Sequence, residues 1–288
     1  MAKEKKNKKE VILEPQYYAS PTNIPTYNYK VYNMGKVEKI LYFILAFIVG
    51  AVVGYLFYGG IGKDEYGDPT TTTYILNILI PGIVGIIAGK LFVPVRQQQI
   101  IDKNRKKINS QFRDMLEAFT TSLGAGKNVR DSFKSVYDDL KVQYEEDAFI
   151  INELYVILDG MDNNIDVEDL LLDFGIRSGN DDIYSFANVF KICYRKGGNI
   201  KDTIKNTYEV LSDKMEIAED IETIVTSNKT EQNIMIFMPI ALIGAIKTMS
   251  PDFAANFVTG VGIIATTVAI ILFVIAYFIG RAVLDIKL

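Results

Sequence analysis

Four long apolar stretches, separated by strongly polar ones, dominate the chain: Lys39 to Gly60, Tyr74 to Val95, Ile234 to Met249 and Val261 to Gly280. An apolar helix needs about 20 residues to cross ~30 Å of hydrocarbon, so the pattern predicts four transmembrane helices. The third stretch is sixteen residues long. Pro239 near its start and Lys247 near its end predict a kinked span whose lysine snorkels to the surface. Between the second and third stretches the apolar positions recur at helical spacing instead. Phe112, Leu116, Phe119 and Leu123 mark one helix, and Val129, Phe133, Val136 and Leu140 the next.

That second pair of helices is written twice. "GKNVRDSFKSVY", from Gly126 to Tyr137, has a near-copy 71 residues later, "GGNIKDTIKNTY", from Gly197 to Tyr208. In the copy, Ile183, Phe186, Phe190 and Cys193 precede the turn, and Ile200, Ile204, Tyr208 and Leu211 follow it. Glycine ends a helix at positive φ, here at Gly126 and at Gly197 with Gly198; asparagine then caps the next helix. An aspartate three residues on reaches back to the N–H of the cap, a variant of the capping box. The pairs are Asn128 with Asp131 and Asn199 with Asp202. A looser instance is "DGMDNNIDVEDLL", where Gly160 is expected to end a helix and Asp166 with Asp169 to begin another, whose apolar face is Val167, Leu170, Leu171 and Phe174. The spacing predicts three helical hairpins, six helices, with the last running from Ile200 through Ile224 towards the third span.

The first copy is not a phosphate-binding loop. Such a loop needs a glycine five residues before its Gly-Lys pair, a hydroxyl residue after it, and a strand in front. Here Thr121 and Asn128 stand at those places and a helix precedes.

Charge orients the spans. Lys3, Lys5, Lys6, Lys8, Lys9, Lys30 and Lys36 precede the first, and the loop after it carries only Lys63. Residues 96–107 are basic again, and "SPDFAANF" has no basic residue. The positive-inside rule then places both termini and residues 96–232 in the cytoplasm of a multi-pass protein of the cell (inner) membrane. No signal-peptide pattern precedes the first span. Residues 11–35 hold three prolines and five tyrosines without helical period; they are expected to be an extended, solvated tail, with a partner-docking arm as the alternative. The predicted organisation is a basic tail at 1–36, two spans at 37–95, a helical domain at 96–232 and two spans at 233–288. The fold class is an all-α integral membrane protein: four transmembrane helices and a cytoplasmic six-helix domain of repeated hairpins.

Composition narrows the chemistry. The chain has no histidine, which removes histidine-dependent acid/base, nucleophile and metal systems. Cys193 is the single cysteine, so no intrachain disulfide forms, and it is expected to be a small buried hydrophobe. Residues 96–232 carry 18 lysines and arginines against 26 aspartates and glutamates, a net charge of −8. Nucleic acid is therefore not expected as a partner. Asp138, Asp139, Glu145, Glu146 and Asp147 lack the ligand spacing of a calcium loop and are expected to form a solvated or partner-facing surface. No cofactor, metal or catalytic constellation is expected. Lys90 and Lys247 lie near span ends, and Asp252 lies in a loop, so no intramembrane aspartate pair exists. Gly50, Gly54, Gly82, Gly85 and Gly89 suit close helix packing, within the chain or in an oligomer.

"FRDMLEAFTTSLGAGKNVRDSFKSV", "ILDGMDNNIDVEDLLLDF" and "VFKICYRKGGNIKDTIKNTYEVLSDK", with an ending that carries Pro239, Pro251, Gly260, Gly262, Gly280 and Arg281, resemble the F-domain family of type II secretion. These are the inner-membrane platform proteins of type II secretion systems, type IV pili and tight-adherence (Tad, or Flp) pili. The resemblance covers about residues 96–288, and one such domain preceded by two spans looks like the Tad-type subfamily. It implies a non-enzymatic platform that couples a cytoplasmic hexameric secretion ATPase to pilin or pseudopilin subunits, as a homo- or hetero-oligomer that leaves room for a paralogous platform protein. It transfers no catalytic residues. The tail lies outside the family pattern. A membrane signalling or scaffold protein is the alternative reading; a transporter would need polar residues at mid-membrane, and the spans have almost none.

Overall fold

A computed structural model describes residues 14–64 and 68–284. The lysines at positions 3 to 9 lie outside the described residues. In chain order the elements are strands β1 (Tyr17–Ala19) and β2 (Pro25–Tyr27), then helices α1 (Lys36–Tyr58), α2 (Thr71–Gly124), α3 (Val129–Gln143), α4 (Phe149–Asp162), α5 (Val167–Ser178), α6 (Asp181–Lys196), α7 (Ile200–Met249), α8 (Pro251–Phe257) and α9 (Gly260–Leu284). Two compact units result. One is built from residues 14–33 with Gln97–Asp213, the other from residues 34–96 and 214–284.

The first unit has a helical core supplied by the periodic positions. Ile108, Phe112, Leu116 and Phe119 of α2, Phe133, Val136 and Leu140 of α3, and Leu170, Leu171 and Phe174 of α5 are all buried. So are Ile183, Phe186 and Phe190 of α6 and Ile204 and Leu211 of α7. Phe112 meets Phe174 and Phe186 edge-on at 6.0 and 5.3 Å between ring centroids, and Phe119 lies 4.4 Å from Phe133. A fully buried phenylalanine contributes about 1.5–3 kcal/mol, so these rings supply much of what holds the helices together. The backbones of α5 and α6 approach closely because Gly175 lacks a side chain: a Cβ there would lie 2.9 Å from Tyr184 Cα.

Residues 14–33 correct the sequence expectation of a solvated tail. β1 and β2 pair antiparallel, Tyr17 opposite Tyr27, and the chain beyond them sinks into the helical unit, with Tyr29 only 1% exposed. Apart from this short hairpin the elements of the described residues are all helices, and the unit that holds the helical core takes in Gln97–Asp213.

In the second unit, α1, the first part of α2, the last part of α7 and α9 are long and apolar enough to cross a membrane. Glycines bring α1 and α2 together: a Cβ on Gly50 would meet Ala88 Cβ at 2.7 Å, and one on Gly85 would meet the Phe47 ring at 2.7 Å. The small faces of Gly50, Gly54, Gly85 and Gly89 are thus spent inside the chain, whereas Gly82 faces open space. Two helices exceed their spans. α2 runs 54 residues through Pro81 and Pro94, and α7 runs 50 residues through Pro239 without interruption. Pro239 lines an apolar cavity of about 460 Å³ in this unit, together with Gly54, Phe57, Ile240 and Phe273.

Candidate functional site

The two repeated turns differ in detail from the expected capping box. Gly126 has φ +84° and Gly197 φ +73°, the left-handed conformation that favours glycine. Gly198 has ordinary φ and instead lets the turn close on Cys193, whose Cα would lie 3.3 Å from a Cβ there. Asn128 caps α3 by accepting from the Asp131 N–H at 2.8 Å, and Asn199 accepts from the Asp202 N–H at 3.3 Å. Each aspartate carboxylate answers by accepting from the asparagine side-chain amide, not from the backbone N–H of the cap. Aspartate is one methylene shorter than the glutamate of the usual box, so the side-chain amide is what it reaches.

The third turn is a correction. Gly160 does not end α4, which continues to Asp162; the left-handed residue is Asn164, φ +61°. Gly160 is instead a contact point, where a Cβ would lie 2.6 Å from the Leu170 side chain. Asp166 begins α5 without a side-chain cap. The Asp169 carboxylate accepts from Lys191 Nζ at 2.7 Å, and that bond holds its pKa below the usual value. A glycine–asparagine turn of the expected kind sits elsewhere: Gly179, φ +61°, ends α5, and Asn180 caps α6 by accepting from the Asp182 N–H at 2.7 Å.

Asp138, Asp139, Glu145, Glu146 and Asp147 are all exposed on the end of α3 and the loop to α4. Among the described residues none of them enters an ion pair. Tyr144, inside the same stretch, donates to Asp114; partial burial and that carboxylate push its phenol up to about 12. The Tyr144 side chain therefore anchors the stretch to α2, while the five carboxylates around it are exposed. Cys193 is half-buried rather than enclosed, with its sulfur 3.3 Å from Thr203 Oγ1.

The most elaborate polar arrangement was not expected. Arg177 of α5 donates to both carboxylate oxygens of Glu153 on α4, at 2.8 and 2.7 Å. It also donates to Asp173 at 2.6 Å and to the carbonyl of Tyr27 at 3.0 Å. Tyr29 closes the group from the arm: its hydroxyl donates to Glu153 Oε1 at 3.0 Å, and its N–H to the Arg177 carbonyl at 3.0 Å. Glu153 and Arg177 are 2% and 4% exposed. Burial works against the charge of Arg177, but Glu153 and Asp173 outweigh it and raise its pKa. Burial, then the charge of Glu153, pushes the Tyr29 phenol well above its ordinary value. Gln97 donates to the carbonyl of Tyr32 at 2.7 Å, so the arm is tied to α2, α4 and α5 together.

A signal for this cluster exists in the periodicity. Glu153 stands three residues after Ile150 and four before Ile157, and Arg177 stands seven after Leu170, so both fall on buried faces. A charge on such a face requires a partner. Among the described residues no group of acidic or cysteine side chains is arranged to hold a metal ion. No family model matches the chain, and no curated protein or solved structure matches it.

Proposed function

We propose that this chain is a non-enzymatic membrane platform of a pilus-assembly or secretion machine of the Tad (Flp) type. In this reading the helical unit lies in the cytoplasm and docks a hexameric secretion ATPase, and the four apolar helices stand beside pilin or pseudopilin subunits. One observation carries the reading. α2 and α7 each continue without a break from a membrane-length apolar stretch into the charged helical unit. At 1.5 Å per residue they are about 80 and 75 Å long. A continuous helix has no joint to absorb a stroke, so a displacement imposed on the helical unit would pass along α7 into the apolar segment.

The docking face in this reading is the exposed set Asp138, Asp139, Glu145, Glu146 and Asp147, because complementary charge sets docking rate and orientation. Insertion of Gly-Gly-Ser after Ser227 tests the lever. Assembly of the extracellular fibre should stop while the protein still enters the membrane; assembly at the normal rate refutes it.

A further inference from the structure

The arm and the start of α4 enclose a cavity of about 340 Å³, at the lower end of the range of ligand pockets. Its walls are aromatic: Tyr17, Tyr27 and Tyr29 come from the arm, and Phe149 and Tyr155 from α4. Tyr27 stacks on Phe149 at 5.4 Å, and Tyr29 meets Phe149 edge-on at 5.1 Å, so these rings brace one another. Tyr17 and Tyr155 remain more than half or about half exposed, at 57% and 50%. Asp147 lines the mouth and continues the exposed acidic stretch of Glu145 and Glu146. Glu153 lies at the back with both oxygens already held by Arg177 and Tyr29, so the charge left for a ligand is that of Asp147. The aromatic cluster already attracts one cation, since Lys107 Nζ sits 5.5 Å from the centroid of the Phe149 ring.

We infer that this cavity is a socket for the side chain of an arginine or lysine presented by a protein partner. Carboxylates alone would be a solvated rim. Ring faces draw a cation by their quadrupole and hold its aliphatic stem by contact, and they are strongest where water is thin. An anion is disfavoured by Asp147, and a purely apolar group would leave that carboxylate without a counter-charge at the mouth. The inference rests on the proposal that the neighbouring acidic face docks a protein. It assigns the arm a role as half of the socket, which a chain lacking residues 14–33 would not have.

The test uses the full-length protein in detergent and N-acetyl-argininamide as probe, with its neutral citrulline counterpart as control, read by saturation-transfer NMR. Hydrogen exchange at the Tyr29 amide verifies that each variant keeps the arm in place. The expected result is binding of the arginine compound in the millimolar range and none of the citrulline one, weakened roughly three- to thirty-fold by Tyr155→Ala and also weakened by Asp147→Asn. Equal binding of the two compounds, no binding, or a loss with Asp147→Asn alone overturns the socket. Failure of the docking face itself is a separate result: reversing Asp138 and Asp139, which lie outside the cavity, would then leave ATPase retention unchanged.

Discussion

Replacing Arg177 by methionine removes four hydrogen bonds at once, two to Glu153, one to Asp173 and one to the Tyr27 carbonyl. It leaves the Glu153 carboxylate 2% exposed with only the Tyr29 hydroxyl to answer it. Stranding one partner of a buried pair costs about 3–5 kcal/mol. Asp173, with its side chain 43% exposed, returns to water at little cost, so the loss is concentrated where Glu153 and the arm meet. A shift of about 3 kcal/mol raises the population of the opened arm by at least ~100-fold. The Tyr29 N–H, which donates to the Arg177 carbonyl, reports that opening by hydrogen exchange on the full chain. The double variant Glu153→Leu with Arg177→Met removes both charges and should recover most of the loss, because apolar replacements of buried pairs are often neutral or better. Unchanged exchange at Tyr29 in Arg177→Met, or a double variant as weak as the single one, refutes the view that the cluster fastens the arm.

Three further outcomes follow from the geometry. Asn128→Ala should lower the stability of the helical unit by about 1 kcal/mol, read as a fall in its melting midpoint, because the Asp131 N–H and carboxylate both lose their partner. Gly175→Ala should cost about 1–3 kcal/mol, since its Cβ would press on the backbone of Tyr184 and force α5 from α6; Gly124→Ala, whose nearest neighbour is the flexible Lys201 end at 4.0 Å, should leave the midpoint unchanged. Tyr29 binds its proton more tightly when folded than when unfolded. The stability it contributes is therefore complete below the ordinary phenol pKa of about 10 and is lost as pH rises above it. Tyr29→Phe should flatten the alkaline fall in stability seen by circular dichroism, leaving a remainder from Tyr27 and Tyr144, whose pKa values are also raised.

Local punctuation was the most legible layer of this chain. Asparagine with aspartate three residues on specifies a cap through atoms only a few bonds apart, and Asn128 and Asn199 form it. Gly179 and Asn180 form a related glycine–asparagine turn without an aspartate three residues on, since Asn180 accepts from the Asp182 N–H, and Gly160 shows that a glycine in a helix can serve contact as well as termination. Leu170 occupies the space that Gly160 leaves. The continuity of α2 was masked by Pro94 and by the change from apolar to charged residues near Arg96, yet a helix carries on where neighbouring turns satisfy its backbone. The arm was illegible for a different reason. Its strands are three residues each, too short for any period, and its place is set by bonds such as Tyr29 to Glu153 across 124 positions. The acidic face, by contrast, needed only the exposure of five carboxylates, and all five are exposed.

The most direct test of the proposed role is purification of the detergent-solubilised chain from its own cells, with the bound proteins identified by mass spectrometry. A hexameric secretion ATPase and pilin-like subunits should accompany the wild-type chain, and the ATPase should be lost when Asp138, Asp139, Glu145, Glu146 and Asp147 are replaced by lysine. Recovery of a correctly inserted chain with neither protein bound would contradict the platform reading.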